Sequence, residues 1–131
     1  MFEHTVTVFS RFGDVHTEDF ARYVLRGVFC DGSAGQNAAV PAPQSADRAL
    51  LVIPLRSAAA YVSPAVWKTL SSAMREKHFT LQVGDLFAEG IADTPEGAFV
   101  MTTVDEKNTR GSMAHFEIGG GRNRREGGGV A

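Results

Sequence analysis

The chain has 131 residues, 44% of them apolar and 21% charged, with a formal net charge of -2. That is enough for one domain burying about two-thirds of its unfolded surface around a single core, and no apolar run approaches the ~18 residues needed to span a bilayer. Charge is uneven: residues 1–118 carry ten Lys/Arg against fourteen Asp/Glu, whereas 119–131 carry Arg122, Arg124 and Arg125 against Glu126. The acidic body argues against tight nucleic-acid binding, because phosphate contacts release counterions only where Lys and Arg cluster.

The N-terminus "MFEHTVTVF" lacks a basic n-region, so neither secretion nor membrane insertion is expected, and synthesis in a reducing cytoplasm fits the single cysteine. Cys30 lies in the apolar run "YVLRGVFC" and reads as a small buried hydrophobe. "EHTVTVFSRF" alternates Thr5, Thr7 and Phe9 with Val6, Val8 and Ser10, which predicts a strand. "FARYVLRGVFCDG" predicts a second strand, with Gly27 a candidate bulge and Asp31-Gly32 a turn, and the two strands are expected to pair as a hairpin.

Residues 33–47, "SAGQNAAVPAPQSAD", are too poor in large apolar groups to offset their ordering entropy and predict a long loop. "RALLVIPL" is an apolar run of strand length with Pro54 near its end, where ladder donation stops. In "SPAVWKTLSSAMREKH", Ser63 is the expected N-cap and Pro64 the first helical residue. Val66, Leu70 and Met74 stack at i, i+4 and i+8, so one helix is expected over residues 64–76. Trp67 stands one residue off that stripe, at a core edge.

The remainder reads as "FTLQV", "LFAEG", "AFVMTTV" and "SMAHFEI", short strands split by turns or loops at "GD", "IADTPEG" and "DEKNTRG". Such spacing predicts a mostly β fold, a small antiparallel barrel or sandwich with one helix. The expected organisation is a single domain over 1–118 and a flexible Gly/Arg-rich arm over 119–131. The glycine runs of that arm precede no helix and so make no phosphate cradle.

Several constellations bear on chemistry. His4, His16, His78 and His115 could be combined with Glu117 or Asp85, and His115 and Glu117 share a strand face at i and i+2. No third ligand is fixed by spacing, so no metal is expected. Asp85 follows Gly84 and Glu89 precedes Gly90, a placement that suits turn chemistry better than an acid/base pair, with the Asp85 carboxylate capping backbone donors. No serine has a G-x-S-x-G context. The reading is therefore non-enzymatic, with no catalytic residue and no cofactor. Arg122, Arg124 and Arg125 read either as a solvated terminus or as a cationic arm docking on an acidic face of a neighbouring subunit.

"HTVTVFSRFGD", the G-D-x-F-x-E-G element at Gly84, Asp85, Phe87, Glu89 and Gly90, and "HFEIG" at His115–Gly119 resemble, in order and spacing, the head–tail connector proteins of tailed bacteriophages, most nearly the stopper or head-closure group. The resemblance covers most of the chain loosely, and none of its three elements is catalytic. It implies a β-barrel subunit of the virion neck, assembled as a ring of about six or twelve copies closed by heterologous contacts. Such a ring holds the DNA channel, docks the tail and meets adjacent neck and tail proteins, with packaged DNA close by but not specifically bound and no membrane partner. The loop at 33–47 or the segment around "RSAAAYVSP" is the implied projection into the lumen, and an acidic lumen would let DNA slide. The arginine-bearing tail departs from the family pattern. Two alternatives stand beside this: another neck position, such as adaptor or tail-completion protein, or a small-molecule-binding or hydrolytic barrel using Trp67, His115 and Glu117.

Overall fold

The computed structural model describes residues 3–12, 19–31, 48–107 and 114–122. Six strands carry the fold: β1 (His4–Phe12), β2 (Asp19–Cys30), β3 (Arg48–Pro54), β4 (Leu86–Glu89), β5 (Phe99–Lys107) and β6 (His115–Arg122). All neighbouring strands are antiparallel, in the order β1-β2-β3-β6-β5-β4, and β4 pairs back onto β1. The expected hairpin of β1 and β2 forms, and Gly27 is its bulge. With φ at 74° it is skipped in the register, where His4 faces Val28 and Thr5 faces Arg26.

The expected fold class, a small barrel or sandwich with one α-helix, needs correction in its helix and not in its sheet: the pairings run in a cycle and the six strands close into a barrel. Its narrowest seams are β2 with β3, at Phe29–Val52 and Cys30–Leu51 with the Asp31 N–H donating to the Leu50 carbonyl, and β4 with β5, at Leu86–Val100 and Phe87–Phe99 with two backbone bonds between Met101 and the turn at Gly84 and Asp85. Two well-paired units, β1 with β2 and β4, and β6 between β3 and β5, are joined at two narrow seams. The molecule is a mostly antiparallel β fold, a six-stranded closed barrel with two short α-helices.

The single helix expected over 64–76 is also corrected. Two one-turn helices form, α1 (Pro64–Trp67) and α2 (Ser72–Arg75). Ser63 caps α1 as expected, and Pro64 opens it. Ser71 then caps α2 by accepting the Met74 N–H, while the Thr69 hydroxyl donates to the Val66 carbonyl at 2.7 Å. These side chains offer the backbone local partners that compete with a continuous ladder. The Val66–Met74 stripe does not face the core: Val66 and Met74 are 45% and 42% exposed, and Trp67, off the stripe, is 1% exposed.

"FTLQV" at 79–83 is not a strand; its extended backbone makes one isolated parallel bridge, Tyr61 to Phe79. β5 instead runs on through Asp105, Glu106 and Lys107, residues expected in a turn. The expectation of an arm over 119–131 is corrected at its start: Gly119–Arg122 are the second half of β6, which pairs with both β3 and β5. The loop over 33–47 and residues 123–131 lie outside the described residues.

The main core joins Val6, Val8, Leu25, Val28, Leu51, Ile53, Phe79, Leu81, Phe87, Met101, Phe116 and Ile118. Each large apolar side chain fully buried there contributes about 1.5–3 kcal/mol. A smaller cluster, Phe9, Leu86 and Ala98 with Phe20 and Ala92 against them, covers the other face of β1. That is why both faces of β1 are buried from Val6 to Ser10.

Candidate functional site

Glycine, carboxylate and indole groups converge where β4 ends and β1 runs on. The pairing of Val6–Phe9 with Glu89–Leu86 stops at Leu86, leaving Arg11 without a strand neighbour on that side. Two side chains stand in for one. Asp85 Oδ1 accepts the Arg11 N–H at 3.2 Å, and Trp67 Nε1 donates to the Arg11 carbonyl at 2.9 Å. A half-buried strand end is thereby satisfied without backbone pairing, as peptide groups shielded from water require. Next to it, the Ser10 hydroxyl donates to the Thr80 carbonyl at 3.0 Å and accepts the Thr80 N–H at 3.2 Å. The helical segment and the extended 79–81 stretch are thus latched to β1.

Asp85 is fully buried, and its Oδ2 has no hydrogen-bond partner among the described residues. Desolvation pushes its pKa from 3.8 up to about 7, against the opposing pull of the Arg11 N–H and guanidinium and of the Gln82 backbone. Gly84 completes the corner. Its φ is +100°, and a Cβ there would lie 2.5 Å from the Arg11 guanidinium. Gly90, at φ +84°, donates its N–H to Thr5 at 2.7 Å and accepts the Thr7 hydroxyl at 2.8 Å. The Asp85 side chain and the Gly90 backbone thus act on β1, the Gly84 N–H donates to the Met101 carbonyl of β5 at 2.9 Å, and Phe87 fills the core. Glu89 is exposed and opposite Val6 in the ladder, so it does not form a carboxylate pair with buried Asp85.

Arg75 lies over the Phe12 ring at 4.8 Å and the Trp67 ring at 5.7 Å, covering the latch with a cation on two aromatic faces. Sequence reasoning missed Arg75 and the Arg11 backbone. Their partners are distant in the chain, and no local pattern marks them.

The other candidates are dispersed. His115 Nε2 and Glu117 Oε2 are 3.0 Å apart on β6, and the hydrogen bond from His115 holds the Glu117 carboxyl below its usual range. Trp67 does not join them as a surface aromatic, because it is buried and its N–H is committed to Arg11. His4 Nδ1 accepts the Cys30 N–H at 2.9 Å, and Cys30 is buried in the core. His78 contacts the Met74 carbonyl through Nδ1 at 2.8 Å, and His16 lies outside the described residues. No group of three His, Cys, Asp or Glu converges among the described residues, nor is any helix among them long and apolar enough to cross a membrane. Of the cationic arm, only the Arg122 backbone is described, opposite Phe99 at the end of β6; Arg124 and Arg125 lie outside.

What the described surface does present is unpaired strand edge. Beyond the seam with β3, the side of β2 away from β1 receives no other strand over Asp19–Arg26 among the described residues. Among those residues the side of β5 away from β6 likewise has no strand partner over Thr102–Lys107, since β4 and its preceding turn reach only as far as Met101.

The profile of a family of unknown function, DUF6751, matches residues 1–121, and the chain belongs to that family. No curated protein and no solved structure matches it.

Proposed function

We propose that this DUF6751 member is a structural, non-enzymatic ring subunit of the tailed-phage neck, at the stopper or head-closure position. In this reading it is made in the host cytoplasm and works in the virion. It sits between portal or adaptor and tail, with its copies side by side around the DNA channel. The observation that carries the reading is the pair of edges on β2 and β5 that no strand among the described residues pairs. Unpaired edges invite further strands, and folded proteins pair, cover or charge them. A ring supplies neighbours for two different edges on every copy.

The three elements that resemble connector proteins meet in space. β1 holds the Gly84–Gly90 element through Arg11, Thr5 and Thr7, and β6 brings Gly120 against Phe87. They are joints between strands, which suits a resemblance of scaffold and not of reaction site. The net charge of -4 over residues 1–118 further suits a channel past which DNA moves without sticking.

Size-exclusion chromatography with light scattering on the full chain, with and without the products of neighbouring genes, tests the assembly. Imaging of virions carrying a labelled copy tests the position. A ring at the neck is expected. A chain that stays monomeric alone and with those partners, or a label found away from the neck, overturns the proposal.

A further inference from the structure

We infer that the β2 edge of one copy pairs with the β5 edge of the next, so that a strand-to-strand ladder is the contact between subunits. This rests on the ring reading above and specifies its interface. Two long strands outrun their partners among the described residues: Asp19–Arg26 of β2 and Thr102–Lys107 of β5. Each is firmly held on its other side, by β1 and β6 respectively, so each presents a preformed row of backbone donors and acceptors. An added strand satisfies such a row with main-chain hydrogen bonds, while side chains select which strand is accepted.

Charge selects the occupant. The β2 edge carries Arg22 and Arg26 against Asp19, a net +1, and the β5 edge carries Asp105 and Glu106 against Lys107, a net -1. Pairing β5 with β5 across a two-fold axis would set acidic edge against acidic edge, and β2 with β2 would set basic against basic. Like charges directly opposite one another destabilise a ladder. Pairing β2 with β5 brings opposite charges together, and it is heterologous, the kind of contact that closes into a ring. Arg22 is already held by the Ala92 carbonyl and by Asp93 at 3.5 Å, which leaves Arg26, exposed on the same edge, as the cation for a neighbour. Asp105 is its expected counterpart. It is exposed and stands opposite Glu117 within its own chain, so the fold gains nothing from its charge.

The test is charge reversal in the full chain, read by light scattering: Arg26→Asp, Asp105→Arg, and both together. Arg26 faces neutral Thr5, and Asp105→Arg places a cation opposite Glu117, so both variants are expected to keep the wild-type secondary structure by circular dichroism, which separates lost assembly from a lost fold. Each single reversal should abolish the oligomer at a concentration where the wild type is assembled, and the double reversal should restore it. Hydrogen exchange on the wild type should show amides in 19–26 and 102–107 gaining protection on assembly. A wild type that never assembles overturns the ring reading itself. If the wild type assembles but the single reversals assemble equally well, or the two edges gain no protection, the ring stands and this interface is wrong. If the singles fail and the double does not recover, the pairing of these two edges is wrong.

Discussion

Replacing Asp85 with Asn should remove a pH dependence whose sign is opposite to that of most carboxylates. Burial raises the folded-state pKa of Asp85 from 3.8 to about 7, so the folded protein holds this proton more tightly than the unfolded chain does. The stabilisation from that proton is complete below pH 3.8 and is lost as pH rises through about 7. Each pH unit inside this window corresponds to about 1.4 kcal/mol, so wild-type stability should fall by about 3 kcal/mol between pH 5 and pH 8 through this group alone. For a chain of this size that is a drop of about 10 °C in Tm.

Asn keeps an oxygen to accept the Arg11 N–H, but it sets an amide where Oδ2 has no partner among the described residues, a pH-independent cost of about 1–3 kcal/mol. The assay is urea unfolding of wild type and Asp85→Asn at intervals from pH 5 to pH 8. Subtracting the variant's curve removes every titration the two proteins share. The difference should slope downward with pH and flatten above about pH 7. Parallel curves, or a wild type that gains stability on the variant as pH rises, would refute the argument that desolvation outweighs the Arg11 contacts.

Three further outcomes follow from the packing. Gly120→Ala puts a Cβ 2.6 Å from Phe87 Cζ and 3.2 Å from the Phe99 Cβ; it should cost about 1–3 kcal/mol by overpacking, and an unchanged urea midpoint would refute that close approach. Trp67→Phe keeps an aromatic ring but removes the donor to the Arg11 carbonyl, and should lose about 1–2 kcal/mol in the same measurement. His115→Ala removes the hydrogen-bond partner of the surface carboxylate of Glu117 and should leave the urea midpoint unchanged, with assembly intact. If the wild type instead hydrolyses test esters or phosphates and this variant does not, the enzymatic alternative gains and the structural reading loses.

The strands β1, β2 and β3, the Gly27 bulge, the Ser63 cap and the β1–β2 hairpin were all legible in the sequence, because alternation, capping and turn chemistry act over a few residues. The Asp85 carboxylate was expected to cap backbone donors in its own turn; instead it caps one on β1, 74 residues away in the chain. Periodicity misled over 64–76, where a good apolar stripe was broken by the hydroxyls of Thr69 and Ser71 and the buried residue proved to be Trp67. It misled again at 79–83, whose alternation suits a strand but which finds only one bridge in the fold.

The glycines at 119–121 show where local reading ends. By composition they suggest an arm, yet a Cβ at Gly119 would meet the Thr103 hydroxyl at 2.6 Å and one at Gly120 would meet the Phe87 ring. At Gly119 and Gly120 a side chain is excluded because Thr103 of β5 and Phe87 crowd β6, a fact about neighbours and not about propensity. The sequence by itself therefore determined which segments can be extended and where the chain turns. Only the tertiary structure decided which edges find partners, which carboxylate is buried and which glycines are crowded, because those depend on groups far apart in the chain that meet only when the sheet assembles.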